Sequence, residues 1–175
     1  MTTILWMVLV PAALAFGLTP LLVHLWGRRL PAAHEIRRDV FVSAPPPDVF
    51  ALLSDPKAIP RWRKMVGRVQ MLASEPRVRY REFGPQGTLD LEIEESSPPA
   101  RLVIHATPTR SMAFEGTWTY ELAPEDAGTR VTLTERGVVR SPMARVFATY
   151  LLGHATHVER TLAALTARFR GRAHP

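Results

Sequence analysis

The stretch from Ser141 to Phe169 constrains the fold more than any other. Its apolar side chains fall at Met143, Val146, Phe147, Tyr150, Leu151, Val158, Leu162, Leu165 and Phe169. Steps of three and four predict one long amphipathic helix. Ser141 is a suitable N-cap and Pro142 suits the first helical position. Arg168 and Arg170 favour the C-terminal end of the dipole, and Gly171 is a plausible stop. A helix of that length, roughly 42 Å, needs another element wrapped along one side of it.

The chain before it supplies that element. From residue 66 to 139 the sequence turns to strands, expected at 67–74, 77–83, 88–95, 101–107, 112–122 and 130–139. Proline- and glycine-bearing turns separate them. Leu89, Leu91 and Ile93 oppose Thr88, Asp90, Glu92 and Glu94; Trp118, Tyr120 and Leu122 oppose Thr117, Thr119 and Glu121. One wet face and one buried face predict an antiparallel sheet covered on one side, and the short connections predict a meander. Residues 35–43 read as a further strand, closed by Pro45-Pro46-Pro47. Two short helical segments follow, at 48–54 and about 57–64. The expected fold class is α+β, a curved sheet of about seven strands gripping a C-terminal helix.

The N-terminal stretch is different in kind. Residues 4–26 carry no Asp, Glu, Lys or Arg, are long enough to cross a bilayer, and place Trp6 and Trp26 near their ends. Pro11, Gly17 and Pro20 would be tolerated there. A cleaved signal peptide, with Ala13-Leu14-Ala15 as the cleavage site, is the rival reading. No base precedes the segment and the apolar run continues past that site, which favours a permanent single-pass anchor. Arg28, Arg29, Arg37 and Arg38 follow it, placing the folded domain on the cytoplasmic side by the positive-inside rule. The organisation expected is an anchor at 1–29, a linker at 30–34, one domain at 35–171 and a tail at 172–175.

The formal charge of +6 is carried almost wholly by arginine. It fits either attraction to acidic head groups or scattered solvated bases. The bases are interspersed with carboxylates and no nucleic-acid motif is present, so no nucleic-acid partner is expected. The absence of cysteine excludes disulfides and thiol catalysis.

The order strand, two short helices, six strands, long helix resembles the helix-grip fold of the START-like superfamily, also called SRPBCC, with its polyketide cyclase/dehydrase-like domains. Three stretches carry the likeness: VFVSAPPPDVFALLSDPKAIPRW at 40–62, GTRVTLTERG at 128–137, and the closing helix with TLAALT at 161–166. The resemblance covers residues 35–170. It implies a fold and a ligand-binding habit; the superfamily has no common catalytic motif to carry over.

A sheet bent around a helix leaves room for a mostly apolar pocket. Its expected lining is Trp62, Tyr80, Leu91, Ile93, Leu102, Ile104, Phe114, Trp118 and Tyr120, closed by Phe147, Tyr150, Leu151 and His154. The same side chains could instead simply fill the core. Polar residues on predicted apolar faces are the sharper signal: Arg38, Glu82, Glu135 and His154. A buried carboxylate needs a partner or a shifted pKa. Glu82 or Glu135 beside Arg38 or His154 could hold a polar head group or act as acid or base, whereas a strand-end bulge would turn either to water. His154 and His157 are three apart, but no third ligand is evident, so neither a metal nor a cofactor is expected.

Three functions follow. The first is a membrane-anchored module holding a hydrophobic small molecule or lipid, with the bilayer contacted through residues 4–26. The second is a cyclase- or dehydratase-type enzyme using Glu82, Glu135 or His154. The third is a non-catalytic interaction domain with a filled core.

Overall fold

The computed structural model describes residues 17–85, 87–110, 114–152 and 155–170, with the backbone alone for Leu151 and Leu152. The chain divides into two compact units. One comprises Met1–Ala32 with Val139–Gly153, the other Ala33–Val138 with His154–Pro175.

The larger unit is the helix-grip fold. Seven strands, β1 (Ala33–Val42), β2 (Arg68–Ala73), β3 (Arg79–Gly84), β4 (Gly87–Ser97), β5 (Arg101–Thr107), β6 (Phe114–Glu125) and β7 (Gly128–Val139), form one curved sheet. The order is β1-β7-β6-β5-β4-β3-β2, a meander closed by β1 returning beside β7. Helix α2 (Pro46–Leu53), a 3₁₀ turn (Pro56–Ala58) and α3 (Ile59–Trp62) link β1 to β2, and α5 (Thr156–Phe169) packs against the sheet.

Local chemistry accounts for these elements. Pro46 starts α2 where a missing N–H costs nothing, and Asp55 accepts a bond from the Lys57 amide to begin the 3₁₀ turn. Alternation is cleanest in β6, where Gly116, Trp118, Tyr120 and Leu122 are buried and their neighbours are not. A bulge between Ile93 and Glu95 shifts the β4/β5 register, and Leu102, Val103 and Ile104 are all buried. The α5 face of Val158, Thr161, Leu162, Leu165 and Phe169 is buried, as its spacing predicts. The Thr129 hydroxyl donates to the Ala44 carbonyl at 2.7 Å, tying β7 to the start of the β1–α2 link. Gly128 beside it is obligatory, since a Cβ there would lie 2.4 Å from the Val42 carbonyl oxygen.

Two details differ from the spacing alone. The closing segment changes character: α4 (Pro142–Phe147) passes into a π-helical turn (Ala148–Leu152), and α5 covers Thr156–Phe169. The apolar spacing persists, but the hydrogen-bond ladder slips by one residue at the π turn. Gly153, a poor helix former, follows it in sequence. The linker is shorter than expected, because β1 already starts at Ala33 and pairs Ala33 with Val138.

The smaller unit contains a helix over residues 17–29, designated α1, together with α4 and the π turn. Gly27 lies against α4 so closely that a Cβ would sit 1.9 Å from the Pro142 carbonyl oxygen. Arg145 ties the two helices, donating to the Val139 carbonyl at 2.7 Å and to the Gly27 and Leu30 carbonyls at 3.5 Å. Carbonyls at a helix C-terminus lack intrahelical donors, and a guanidinium is a favourable partner for them. Trp26 and Tyr150 meet with ring centroids 5.2 Å apart. Among the described residues no helix is long and apolar enough to cross a membrane; residues 4–16 of the expected span lie outside them.

Candidate functional site

Two buried polar clusters lie inside the grip, each built on one of the carboxylates singled out above. Glu82 continues the inward face of Tyr80 on β3, opposite Leu89 of β4 and Val69 of β2. It is buried and forms an ion pair with Arg63, also buried, which caps the C-terminus of α3. Tyr80 and Tyr120 lie within electrostatic reach of this pair. Burial pushes both phenols up, Tyr80 well above its ordinary value and Tyr120 to about 12, so both stay protonated and available as donors. Desolvation is the largest influence and works against the Arg63 charge, but Glu82, Tyr120 and Tyr80 together outweigh it and Arg63 remains a cation.

The first cluster is incompletely satisfied. Among the described residues, Glu82 Oε1 and the Trp62 indole N–H are buried with no hydrogen-bond partner. Glu82 Oε1 is a bare acceptor on the carboxylate that neutralises Arg63, and the Trp62 indole N–H is a bare donor one residue before Arg63 in sequence. Buried polar groups are normally paired, and unpaired ones cost free energy unless a ligand or water meets them.

Glu135 anchors the second cluster, on β7 opposite Ile36 of β1. It accepts the Trp118 indole N–H at 2.6 Å, His34 Nε2 at 3.0 Å and His157 Nδ1 at 3.1 Å. Trp118 comes from β6, His34 from β1 and His157 from the first turn of α5. Phe114 and His157 stack on the Trp118 ring, at centroid distances of 5.7 and 4.9 Å. Desolvation pushes the Glu135 carboxyl up. The hydrogen bonds from His157, His34 and Trp118, with the His157 charge, override it and hold the pKa down at about 2. A carboxylate of that pKa is ionised at neutral pH and is a weak base there. Its chemistry is that of a clamp joining β1, β6, β7 and α5. The two histidines engage opposite carboxylate oxygens, and the described residues contain no metal-holding group of three or more His, Cys, Asp or Glu.

Packing around the clamp leaves no slack. A Cβ on Gly137 would lie 2.5 Å from the Phe114 ring and 2.7 Å from the His34 ring. The Gly137→Ala variant is therefore expected to push His34 off Glu135 and to destabilise the fold by about 1–3 kcal/mol, the usual range for overpacking. Urea unfolding of the variant beside the wild type measures it; unchanged stability would show that His34 moves freely.

The sequence-predicted residues are thus distributed unevenly. Trp62, Tyr80, Leu91, Ile93, Leu102, Ile104, Trp118 and Tyr120 are buried in one hydrophobic core, with Phe114 packed against it. Glu82 and Glu135 are buried as well, not turned to water. The partners are not those expected. Arg38 is exposed and pairs with Glu159 at 3.3 Å, while Arg63, His34 and His157 serve the carboxylates. Phe147 and Tyr150 are exposed and belong to the smaller unit. His154 and the Leu151 side chain lie outside the described residues. Arg63 was masked by its sequence neighbours Arg61 and Lys64, which make it look like one of a solvated group. The available signal was that buried Glu82 demands a cation.

Comparison with known proteins agrees with this architecture. Residues 33–170 match the family described as polyketide cyclase / dehydrase and lipid transport, and the chain belongs to that family. No curated protein matches the sequence. Among solved structures, the Zhui aromatase/cyclase from Streptomyces sp. R1128 is similar with a TM-score of 0.67 at 17% identity, over 81% of this chain and 96% of that one. A protein from Thermus thermophilus matches at 0.66 and 23% identity, over 81% and 100%. A START superfamily protein from Mycobacterium smegmatis matches at 0.64 and 17%, over 78% and 97%. The chain spans about half the length of the di-domain aromatase/cyclases StfQ and BexL, 52% and 53% respectively. At these identities the likeness is one of fold.

Proposed function

We propose that the grip domain is a membrane-anchored binding module for a hydrophobic small molecule or lipid that carries hydroxyl and carbonyl oxygens. The observation that carries the reading is Glu82 Oε1, buried beside Arg63 with no partner, with the buried Trp62 indole N–H as a second unmet group. A ligand hydroxyl would donate to Glu82 Oε1, and a ligand carbonyl would accept from the Trp62 indole N–H. The core residues Leu91, Ile93, Ile104 and Tyr120 supply the apolar surroundings for the rest of the molecule. Such a division, a few fixed polar groups in an apolar wall, is how small-molecule sites combine affinity with orientation. Residues 4–26 would hold the domain at a bilayer, on its cytoplasmic side, and shorten the path of an apolar ligand. The family description, which couples cyclase and dehydrase activity with lipid transport, supports the ligand class.

An enzymatic alternative finds less support in the site. Glu135 is held ionised by three donors, and Glu82 is committed to Arg63, so neither stands free as a general base. The test uses the full chain in detergent and a panel of lipids and polyhydroxylated aromatics. Ligands that raise the wild-type melting temperature are expected to do so several-fold less in Trp62→Phe, which keeps the ring and removes only the N–H. An equal response in both proteins would remove the Trp62 contact from the account.

A further inference from the structure

The smaller unit has a composition unlike the rest of the chain. All 16 acidic residues lie outside Met1–Ala32 and Val139–Gly153; the charged side chains within those segments, histidine aside, are Arg28, Arg29, Arg140 and Arg145. Its exposure is equally skewed. Of the ten large exposed hydrophobic residues among the described ones, eight belong to it: Leu18, Leu21, Leu22, Leu25 and Trp26 on α1, and Met143, Phe147 and Tyr150 on α4 and the π turn. The α1 contribution continues directly from the apolar residues 4–16 in sequence. The α4 contribution is fixed to α1 by Gly27 against Pro142, by Arg145 and by the Trp26–Tyr150 contact.

We infer that α4 and the π turn form a second membrane-contacting element, embedded beside α1 in the interfacial layer of an anionic bilayer. The inference rests on the reading of residues 4–26 as a bilayer anchor and goes beyond it. It assigns the internal segment 142–152, more than a hundred residues downstream, to the lipid surface. Tyr150, packed on Trp26, favours the depth of the head groups, where one end of the ring is apolar and the other wet, and the exposed Phe147 offers an apolar ring beside it. Four arginines without a carboxylate among them suit anionic lipid, each base near the surface adding about 1 kcal/mol. Arg145 faces backbone carbonyls and contributes mainly to holding α4 in place, so the head-group attraction falls to Arg28 and Arg29. A second copy of the chain is a poorer occupant, because two such basic faces repel one another.

The absence of cysteine makes the test clean. Phe147→Cys, Leu22→Cys and Leu72→Cys each introduce a single thiol at an exposed site, the last in the larger unit. Each full-length variant is labelled with an environment-sensitive fluorophore and reconstituted into phosphatidylcholine vesicles containing phosphatidylglycerol. Lipids with nitroxides at shallow or deep acyl positions then report depth. Quenching of the label at 147 by shallow nitroxides, with position 72 unquenched, is the expected result. Replacing Arg28 and Arg29 by Gln should weaken that quenching. Quenching at 22 but not at 147 overturns the inference while leaving the anchor intact. Quenching at neither overturns both. A blue-shifted label at 147 that no nitroxide reaches assigns the face to a protein contact and also overturns it.

Discussion

Glu82→Leu is expected to destabilise the protein by about 3–5 kcal/mol, because it leaves the Arg63 guanidinium buried without its counter-charge. The cost does not come from the attraction lost, since bringing two ions out of water offsets most of the gain from pairing them. It comes from the survivor. Arg63→Met alone should cost a similar amount, stranding the Glu82 carboxylate among Tyr80 and Tyr120. The double variant Arg63→Met/Glu82→Leu should regain most of the loss, as apolar replacements of comparable volume often do. Denaturant unfolding of the four proteins completes the cycle. Additive single effects, with no recovery in the double variant, would show that the two charges do not depend on each other. The cycle also separates stability from function, because the double variant should fold yet lack the polar end of the proposed site.

A comparable effect is expected at Glu135, and here acid reveals it. The folded carboxyl has a pKa of about 2 against an ordinary value of 4.5. A depressed carboxyl stabilises the fold fully above the ordinary value, and that contribution is lost as pH falls from 4.5 through about 2. The difference corresponds to about 3 kcal/mol at neutral pH. Glu135→Gln removes the titrating group, so wild type and variant should differ by about that amount at pH 7 and converge near pH 2. Taking the difference between the two proteins at each pH cancels the contributions of the other carboxylates. A difference that stays constant across this range would mean that Glu135 is not held ionised by Trp118, His34 and His157. Hydrogen exchange offers a parallel readout: loss of the clamp should raise exchange in α5, which His157 joins to the sheet.

Much of the architecture was legible because burial on one face leaves a period in the sequence. Trp118, Tyr120 and Leu122 on β6, and Val158, Leu162 and Leu165 on α5, occupy the faces their spacing predicts. The π turn after α4 was not legible, since Met143, Val146, Phe147, Tyr150 and Leu151 keep helical spacing even where the hydrogen bonds become π-type. The candidate site was legible by half. A carboxylate on an apolar face announces itself, as Glu82 and Glu135 did, but its partner can come from anywhere in three dimensions. His34 is 101 residues from Glu135 and sits in a segment that reads as linker until its pairing with β7 is seen. Trp62 was legible as a large side chain near the site, but the orphaned indole N–H depends on neighbours that no local pattern encodes.

Native mass spectrometry of the detergent-solubilised full chain, followed by organic extraction, tests the central claim most directly. The account predicts a co-purifying hydrophobic molecule bearing hydroxyl or carbonyl oxygens, at fixed stoichiometry, absent from the Arg63→Met/Glu82→Leu variant. A folded wild-type protein that carries nothing, and takes up nothing when offered lipids and polyhydroxylated aromatics, would contradict it and make the filled-core interaction domain the better reading.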